Sequence, residues 1–226
     1  EIISELVTEV RIKVDNSGLN ITAMDPANVA MVRFVLPKGS FSKLETGNET
    51  LGVNLDSLKR ILKRCGPGSS LTIERQDNLL NIQIQDKIKR TFNLSLIEIE
   101  SEEKDMPRLE FSSVVELDSS DFIDSVEDCM VVADACSFII ADGKFLIEAR
   151  GLNSAMSEFS GDEAKISAEN CKSRYSLEYL QKFVKASKLS DKTILRFAED
   201  HPLKMDIKND FLELSFLLAP RVETED

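Results

Sequence analysis

The alternation of apolar and polar residues along the chain predicts short strands joined by tight turns. Two runs typical of hairpin turns, Asp15–Gly18 and Asp77-Asn78, each separate a pair of alternating segments in the first half. The strands predicted in this half are Arg11–Val14, Leu19–Met24, Val29–Leu36, Ser70–Glu74, Leu79–Gln85 and Arg90–Ile99.

The second half repeats this order of hairpins. Ala141–Gly143 and Asp200–Pro202 are again turn-forming runs between alternating segments. The strands predicted here are Ser137–Ile140, Lys144–Ala149, Thr193–Phe197, Leu203–Ile207 and Phe211–Leu218.

Helical periodicity repeats as well. Leu55–Cys65 has an apolar stripe at helical spacing, and the segment beginning at Leu177 has nearly the same stripe. Each half is also predicted to open with a helix, Glu1–Val10 in the first and Ser120–Met130 in the second. The chain is therefore predicted to be an α+β protein made of a duplicated unit, with two helices packed on antiparallel sheet in each half.

An acidic, proline-containing segment separates the two halves. We call residues 98–110 the connector, and expect it to be exposed because charged residues dominate it. Met106, an apolar residue just before Pro107, indicates that part of the connector packs against something or is presented to a partner. The predicted domains are residues 1–97 and 111–226.

Charge and composition exclude several classes of protein. The chain holds 28 Lys and Arg against 40 Asp and Glu, giving a net charge of −12, which argues against a generally basic nucleic-acid binder and a polybasic membrane binder. No apolar run is long enough to span a membrane, and the acidic start is unlike a signal or transit peptide. Four widely separated cysteines are typical of reduced thiols in a cytosolic protein. The single histidine, His201, leaves little material for catalytic triads or zinc sites.

Cations are nevertheless concentrated on the two repeat-related helices. Long cationic side chains on a helix can hold the phosphates of a nucleic acid without reading its bases, and such contacts are salt-dependent. The alternative is a solvated helix face whose cations complement the helix dipole. The residues, which we call the basic helix face, are Lys59, Arg60, Lys63, Arg64, Lys182, Lys185 and Lys188.

Enzymatic functions find little support in the sequence. A metal-dependent nuclease would need acidic groups that bind Mg²⁺. The candidates, Glu103 with Asp105 and Glu223 with Glu225 and Asp226, lie in the connector and the tail, where charge runs are usually solvated. Gly66–Ser70 follows a helix and lacks the Gly-Lys-Ser/Thr of a phosphate loop. No nucleophile, base and oxyanion donor come together, so we predict neither catalytic residues nor a metal or cofactor.

Several segments together resemble the proliferating cell nuclear antigen family of sliding clamps, and their sequences are most similar to those of archaeal members. The resemblance runs in the right order over essentially the whole chain. The segments are Ala23-Met24-Asp25-Pro26-Ala27-Asn28-Val29-Ala30-Met31-Val32, Gly52-Val53-Asn54-Leu55, Ile61-Leu62-Lys63 and Leu218-Ala219-Pro220-Arg221-Val222-Glu223.

The resemblance implies two DNA-clamp domains per subunit and three subunits closed head-to-tail into a ring with pseudo-six-fold symmetry, its helices lining the hole. The basic helix face would then contact double-stranded DNA, and edge strands would pair between subunits. The edge residues implied are Lys89, Arg90, Phe92, Leu94 and Leu96 in the first domain, and Ser154, Met156 and Phe159 in the second.

By the same resemblance, an apolar pocket under the connector takes partner peptides of the PIP-box type, which insert a short helical turn with apolar and aromatic anchors. The partners implied are a DNA polymerase, a clamp loader, a flap endonuclease and a DNA ligase. The residues, which we call the connector pocket, are Met24, Asn28, Val29, Met31, Met106, Pro107, Phe111, Pro202, Leu217, Leu218, Ala219 and Pro220.

The expected function is thus a non-catalytic processivity factor in DNA replication and repair, cytoplasmic and nucleoid-associated in an archaeal cell or nuclear in a eukaryote. The alternatives are a subunit of a heterotrimeric or checkpoint-type clamp and, more remotely, the metal-dependent nuclease. Family members normally have a strand and at least a helical turn before the position of Glu1. We therefore expect the natural chain to be longer than the printed sequence; without that strand, the first domain would expose a sheet edge.

Overall fold

The computed structural model describes residues 1–222, and in this range the first half is built from β-hairpins around one α-helix. Short 3₁₀ turns lie at Ile3–Glu5 and Lys38–Ser40. The regular elements are β1 (Glu9–Asp15), β2 (Gly18–Met24), β3 (Ala30–Pro37), β4 (Glu49–Asn54), α1 (Leu55–Leu62), β5 (Ser70–Gln76), β6 (Leu79–Gln85) and β7 (Lys89–Ser95).

The second half continues with more strands and two longer helices. Its elements are β8 (Ser113–Asp118), α2 (Ser119–Met130), β9 (Ala135–Ala141), β10 (Lys144–Arg150), β11 (Ser154–Phe159), β12 (Ala164–Ala168), β13 (Cys171–Ser176), α3 (Leu177–Ser187), β14 (Lys192–Phe197), β15 (Leu203–Lys208) and β16 (Glu213–Leu218).

The strands form three antiparallel sheets whose orders reveal the duplication. The nine-stranded sheet runs β12-β8-β14-β15-β16-β3-β2-β1-β4, the four-stranded sheet β11-β10-β9-β13, and the three-stranded sheet β5-β6-β7. The run β3-β2-β1-β4 matches β11-β10-β9-β13, and β5-β6-β7 matches β14-β15-β16. Each half therefore contains the same two sheet motifs, in the order that the repeated hairpins predict.

One strand pair joins the two halves into a continuous sheet. β16 of the second half lies antiparallel to β3 of the first, with Glu213 opposite Val35 and Leu218 opposite Ala30. Both Leu218 and Ala30 are buried in the larger hydrophobic cluster, which spans the halves. The junction therefore combines backbone hydrogen bonds with apolar burial, the dominant favourable contribution to folding.

The core is unequal in size between the halves. In the larger cluster Phe138 makes edge-on contacts with Phe122, Phe145, Tyr175 and Phe197, an arrangement that favours a well-defined packing. A smaller aliphatic cluster lies in the first half under α1 and the strands β1, β4 and β6. The two helices α2 and α3 pack together over the second half, whereas α1 packs on β4 and β7.

Local chemistry fixes the start of α1 and the path of the connector. The side-chain oxygen of Asn54 accepts a hydrogen bond from the Ser57 N–H at 3.0 Å and so caps the helix. On β4, Gly52 faces Ile97, the residue that precedes the connector. A Cβ at Gly52 would lie 2.0 Å from the carbonyl oxygen of Ile97, so only glycine allows the chain to pack this closely on β4 where it enters the connector.

The prediction of a helix over Glu1–Val10 is wrong. The segment has only the 3₁₀ turn at Ile3–Glu5, and β1 begins at Glu9. The alternation of Val10 and Ile12 continues into Val14, and pairing with β4 outweighs the helical spacing of the preceding apolar residues. The first half consequently has one α-helix, not two.

Other boundaries differ more modestly from the predictions. α1 ends at Leu62, before the predicted end at Cys65, and β7 ends at Ser95, after which the chain enters the connector. The alternation of residues did not predict β4, β8, β12 or β13, nor β11, which only the family resemblance implied. β4, β8, β12 and β13 are short or polar, and their partners lie far away along the chain, so their own patterns carry little signal.

Candidate functional site

The two groups of cations in the basic helix face lie on the same side of the molecule. Residues 1–5 reach both helices, since the Glu1 carboxylate lies 2.6 Å from the Lys63 Nζ and the Glu5 carboxylate lies 2.7 Å from the Lys185 Nζ. The whole set comprises Lys59, Arg60, Lys182 and Lys185 within α1 and α3, with Lys63, Arg64 and Lys188 at or just after the helix ends.

Acidic side chains neutralise part of the basic helix face. Besides the pairs of Lys63 and Lys185, Lys59 lies 3.1 Å from Asp56 and Lys182 lies 3.4 Å from Glu178. The hydrogen bond from Lys63 is the main cause of the lowered pKa of Glu1. Exposed ion pairs of this kind contribute little stability, so a phosphate group can replace the carboxylates at small cost.

Sequence reasoning missed Glu1 and Glu5 as partners of these lysines. Lys185 is in the other half of the chain, and no local spacing connects it with Glu5. α2, which packs beside α3, is acidic on its outer side, where Asp121, Asp124 and Glu127 are exposed. The cations of this face are therefore confined to α1 and α3.

Several residues predicted to line the connector pocket lie at ends of strands that the fold brings together. Met31 lies opposite both Met24 and Leu217 in the sheet. The Ala219 N–H donates to the carbonyl of Val29 at 2.9 Å, which holds the chain after β16 against the turn after β2. The segment at Pro202 lies nearby, because β15 is paired with β16.

Three residues of the predicted pocket are buried beneath its surface. Leu218 has no exposed area, Met31 is 4% exposed and Leu217 is 9% exposed. All three offer little surface to a ligand in this conformation. The partly exposed residues are Met24, Val29, Met106, Phe111, Pro202, Ala219 and Pro220, while Asn28 and Pro107 are exposed.

His201 contacts a residue of the predicted connector pocket, although the sequence suggested it only for catalytic triads or zinc sites. Its ring lies edge-on to Phe111, with centroids 5.5 Å apart. Its carbonyl accepts hydrogen bonds from the Tyr175 hydroxyl at 2.7 Å and the Ser173 hydroxyl at 3.0 Å. These bonds fix the turn that carries Pro202, and thereby one side of the pocket.

Polar contacts hold the first part of the connector on the outer surface of β1 and β2. The Arg11 guanidinium donates to the carbonyls of Ile99 and Ser101, and Lys13 pairs with Glu103 at 2.6 Å. At the border of the connector pocket, the Lys104 Nζ donates to the Asn28 Oδ1 at 3.0 Å. A cavity of about 300 Å³ with a mixed-charge lining lies between this part of the connector and the strands.

Apart from Leu96, which follows β7, the predicted interface residues lie on strands with one open edge. Among residues 1–222, β7 pairs only with β6, and β11 pairs only with β10. Met156 on β11 is 60% exposed, whereas Leu94 and Phe159 are buried in their own halves. The other residues are Lys89, Arg90, Phe92 and Leu96 at β7, and Ser154 on β11.

Comparison with known families covers nearly the whole chain. The family model for the N-terminal domain of proliferating cell nuclear antigen matches residues 1–104, and the model for its C-terminal domain matches residues 105–221. The chain belongs to the proliferating cell nuclear antigen family of sliding clamps. The two matches meet inside the connector.

Individual members of the family agree with this assignment. A protein of Thermococcus fumicolans named DNA polymerase sliding clamp is 37% identical over 234 residues, covering 97% of this chain and 92% of the relative. A protein of the same name from Pyrococcus furiosus is 35% identical with the same coverage. The predicted likeness to archaeal clamps is confirmed.

Solved structures of the family support the fold. Proliferating cell nuclear antigen from Thermococcus kodakaraensis has a TM-score of 0.90 and 24% identity, over 97% of this chain and 93% of that one. The antigen from Entamoeba histolytica also has a TM-score of 0.90, with 21% identity, over 98% of this chain and 92% of that one. Two duplicated clamp domains of the α+β class are thereby confirmed.

The comparisons give no support to a checkpoint-type subunit or a nuclease. Between residues 1 and 222, no group of three or more His, Cys, Asp or Glu side chains is arranged to hold a metal ion. The four cysteines are free thiols. In the same range, no helix combines the length and apolarity needed to cross a membrane. Glu223, Glu225 and Asp226, named above as metal-binding candidates, lie outside the described residues.

Proposed function

We propose that this clamp forms a homotrimeric ring around double-stranded DNA and holds a DNA polymerase on its template without catalysing a reaction itself. The observation that carries the proposal is the internal repeat. The two halves are joined by pairing of β16 with β3, and the repeat predicts an equivalent pairing of strands between subunits. The names of the relatives support the polymerase as the principal partner.

The junction β16–β3 has an unpaired counterpart. By the repeat, β7 corresponds to β16 and β11 corresponds to β3, and both β7 and β11 have an open edge. If a β7 edge pairs with the β11 edge of another subunit as β16 pairs with β3, the contact is head-to-tail. A heterologous contact of this kind closes into a ring when the rotation that relates neighbouring subunits is a whole fraction of 360°. The family resemblance indicates a ring of three subunits.

The register of this contact follows from the repeat. Glu213 and Val35 are opposite each other in the β16–β3 junction, and their counterparts in the repeat are Lys89 and Glu158. Lys89 is therefore expected to lie opposite Glu158 of the partner subunit. Opposite charges directly across antiparallel strands are favourable, and the pairing also removes two exposed sheet edges.

The hole of the ring would be lined by the basic helix face. The long cationic side chains of this face can reach the phosphates of both DNA strands. The carboxylates beside Lys63 and Lys185 keep the attraction to DNA weak. Weak, sequence-independent, salt-dependent contacts allow a protein to move along DNA. Topological enclosure then provides the retention that a chain of net charge −12 cannot obtain from electrostatic attraction alone.

The connector pocket would tether partner proteins by short peptides. Half-exposed apolar residues lie on the three segments that would form this groove, and a groove of that kind suits a helical turn with apolar and aromatic anchors. Methionine at Met24 and Met106 lets one pocket adapt to several sequences. Tethering raises the effective concentration of a polymerase at the primer end. A clamp loader, a flap endonuclease and a DNA ligase are the further partners we propose.

Primer extension on primed circular single-stranded DNA tests this function. With the polymerase and clamp loader of an archaeal relative, adding the chain should lengthen the products made in one binding event. Charge reversal at Arg60, Lys63, Lys182 and Lys185 should abolish the lengthening while leaving the assembly state unchanged. The matched control reverses four exposed lysines outside the basic helix face, Lys38, Lys43, Lys165 and Lys208.

The two possible failures of this experiment have different meanings. Product lengths that do not respond to the unmodified chain would contradict the sliding-clamp function. A response that survives charge reversal on the helices, or that is equally lost in the control variant, would contradict the assignment of the basic helix face to DNA.

A further inference from the structure

A buried carboxylate organises the turn that borders the connector pocket. Asp25 is 6% exposed, and its Oδ1 accepts hydrogen bonds from the N–H groups of Val29 and Ala30, both at 2.7 Å. Its Oδ2 accepts a third from the Ala27 N–H at 3.2 Å. Three backbone donors converging on one carboxylate restrain the whole turn from residue 25 to residue 30.

The fourth partner of this carboxylate comes from the other half of the chain. Tyr179, in the first turn of α3, donates its hydroxyl to the Asp25 Oδ2 at 2.6 Å. The same tyrosine ring lies 5.0 Å from the Lys182 Nζ. One side chain therefore contacts the turn beside the connector pocket and a cation of the basic helix face.

The turn needs this restraint because its backbone is unusual and its residues are functional candidates. Asn28 has a φ of 57°, in the left-handed region that few non-glycine residues adopt. Met24, Asn28 and Val29 belong to the connector pocket, and the Val29 carbonyl accepts the bond from Ala219. Rotation of the Asp25 carboxylate would release the N–H groups that define this geometry.

The ionisation of both groups agrees with the geometry. Burial alone would raise the pKa of Asp25, but the hydrogen bonds from Tyr179 and the backbone N–H groups outweigh it and leave the pKa below its ordinary value. The hydrogen bond to Asp25 is the main cause that raises the pKa of Tyr179 to about 12. At neutral pH the pair is thus a carboxylate and a neutral phenol, which is the best donor–acceptor combination for this contact.

We propose that Tyr179 is a positioning residue for peptide binding: its hydroxyl, presented by α3, locks Asp25 and thereby sets the shape of the connector pocket. This inference rests on the proposed function, since it takes the connector pocket as the peptide site. It assigns a role in peptide recognition to a helix whose cations are assigned to DNA.

The test measures binding of a fluorescein-labelled PIP-box-type peptide with one aliphatic and two aromatic anchors, by fluorescence polarisation. Tyr179→Phe keeps the ring and removes the hydroxyl, and should weaken binding about three- to tenfold. In an Asp25→Asn background the same change should have less than about a twofold effect, because Tyr179 acts only through the Asp25 carboxylate.

A matched control on the same helix is Ser187→Ala. Its hydroxyl accepts a buried hydrogen bond from Thr193 at 3.1 Å, so the variant loses a buried contact of α3 without touching the turn. It should bind the peptide as the unmodified chain does. Amide hydrogen exchange supplies a second readout, in which Val29 and Ala30 should exchange faster in Tyr179→Phe but not in Ser187→Ala.

The positioning role would be overturned if Tyr179→Phe bound the peptide within twofold of the unmodified chain. It would also be overturned if the effects of Tyr179→Phe and Asp25→Asn on peptide affinity were simply additive. Equal weakening in Ser187→Ala would overturn it as well, because the effect would then reflect general loosening of α3. If the unmodified chain itself fails to bind the peptide, the pocket assignment falls and the positioning role falls with it. Faster exchange at Val29 and Ala30 in that case would show that the bond still restrains the turn.

Discussion

The strands β5-β6-β7 and β14-β15-β16 are equivalent in order and pattern, yet their burial differs sharply. Ile73 on β5 and Leu195 on β14 occupy equivalent positions, but Ile73 is 47% exposed and Leu195 has no exposed area. β14 lies between β8 and β15 and under α2, whereas β5 pairs with β6 alone among residues 1–222. Neighbouring elements, and not the local sequence pattern, therefore decide how deeply an apolar residue is buried and how much it contributes to stability.

The largest expected consequence is a difference in the cost of truncation. Leu195→Ala should lower the free energy of unfolding by about 2–5 kcal/mol, because it leaves a cavity in the larger cluster. Ile73→Ala should cost less than about 1 kcal/mol, because little contact is lost. Urea unfolding of both variants in the 226-residue chain measures this, and equal costs would mean that β5 is covered in solution.

Hydrogen exchange should reveal the same difference without mutation. Amides of β5 are expected to exchange at least about tenfold faster than those of β14, because edge strands open more readily. Formation of the ring should slow exchange at β7 and not at β5, since the ring would cover the open edge of β7 and leave that of β5 uncovered. Exchange that slows at β5 and not at β7 on raising the protein concentration would contradict the proposed interface.

Acid should weaken the link between Asp25 and Tyr179. Because the pKa of Asp25 is lower in the folded chain than its ordinary value, its stabilisation is present above that ordinary value and is lost as the pH falls through the folded pKa. At pH 7, Asp25→Asn should reduce the free energy of unfolding by about 1–3 kcal/mol. Below pH 4, the difference in the free energy of unfolding between the unmodified chain and Asp25→Asn should shrink. A difference that grows there would refute the stabilising role of the Asp25 carboxylate.

The smallest expected change in stability comes from the exposed pair of Glu5 and Lys185. Glu5→Gln should alter the free energy of unfolding by less than about 0.5 kcal/mol. It should nevertheless strengthen retention on DNA and steepen its salt dependence, because Lys185 becomes free for phosphate. Lys165→Gln, which leaves Glu116 without its partner on an outer strand, is the control. Retention that is unchanged by Glu5→Gln would place Lys185 away from DNA.

The repeat made much of the fold predictable. Hairpin turns such as Asp15–Gly18 and the apolar stripes of α1 and α3 are local signals, and each marks an element that the structure contains. The opening segment shows the limit of this approach, because Ile3, Leu6 and Val10 fit a helix and only pairing with β4 decides for strand. Burial of Met31 and Leu218 was likewise beyond local reasoning, since it depends on the pairing of β3 with β16.

The candidate sites were predictable only in part for a similar reason. The pattern of cations on repeat-related helices supplied the residues of the basic helix face, and the family resemblance supplied those of the connector pocket. Neither gave the contacts that tune them. Glu5 meets Lys185, and Asp25 meets Tyr179, across the two halves of the chain. Such long-range pairs leave no trace in spacing or composition.

The central claim is that β7 and β11 pair between subunits as β16 and β3 pair within one. Multi-angle light scattering after size exclusion tests it most directly, using Lys89→Glu, Glu158→Lys and the double variant at micromolar concentration. Each single reversal places like charges opposite each other and should shift the mass from trimer towards monomer, while the double variant should restore the trimer. Single variants that stay trimeric, or a double variant more dissociated than either single one, would contradict the head-to-tail register.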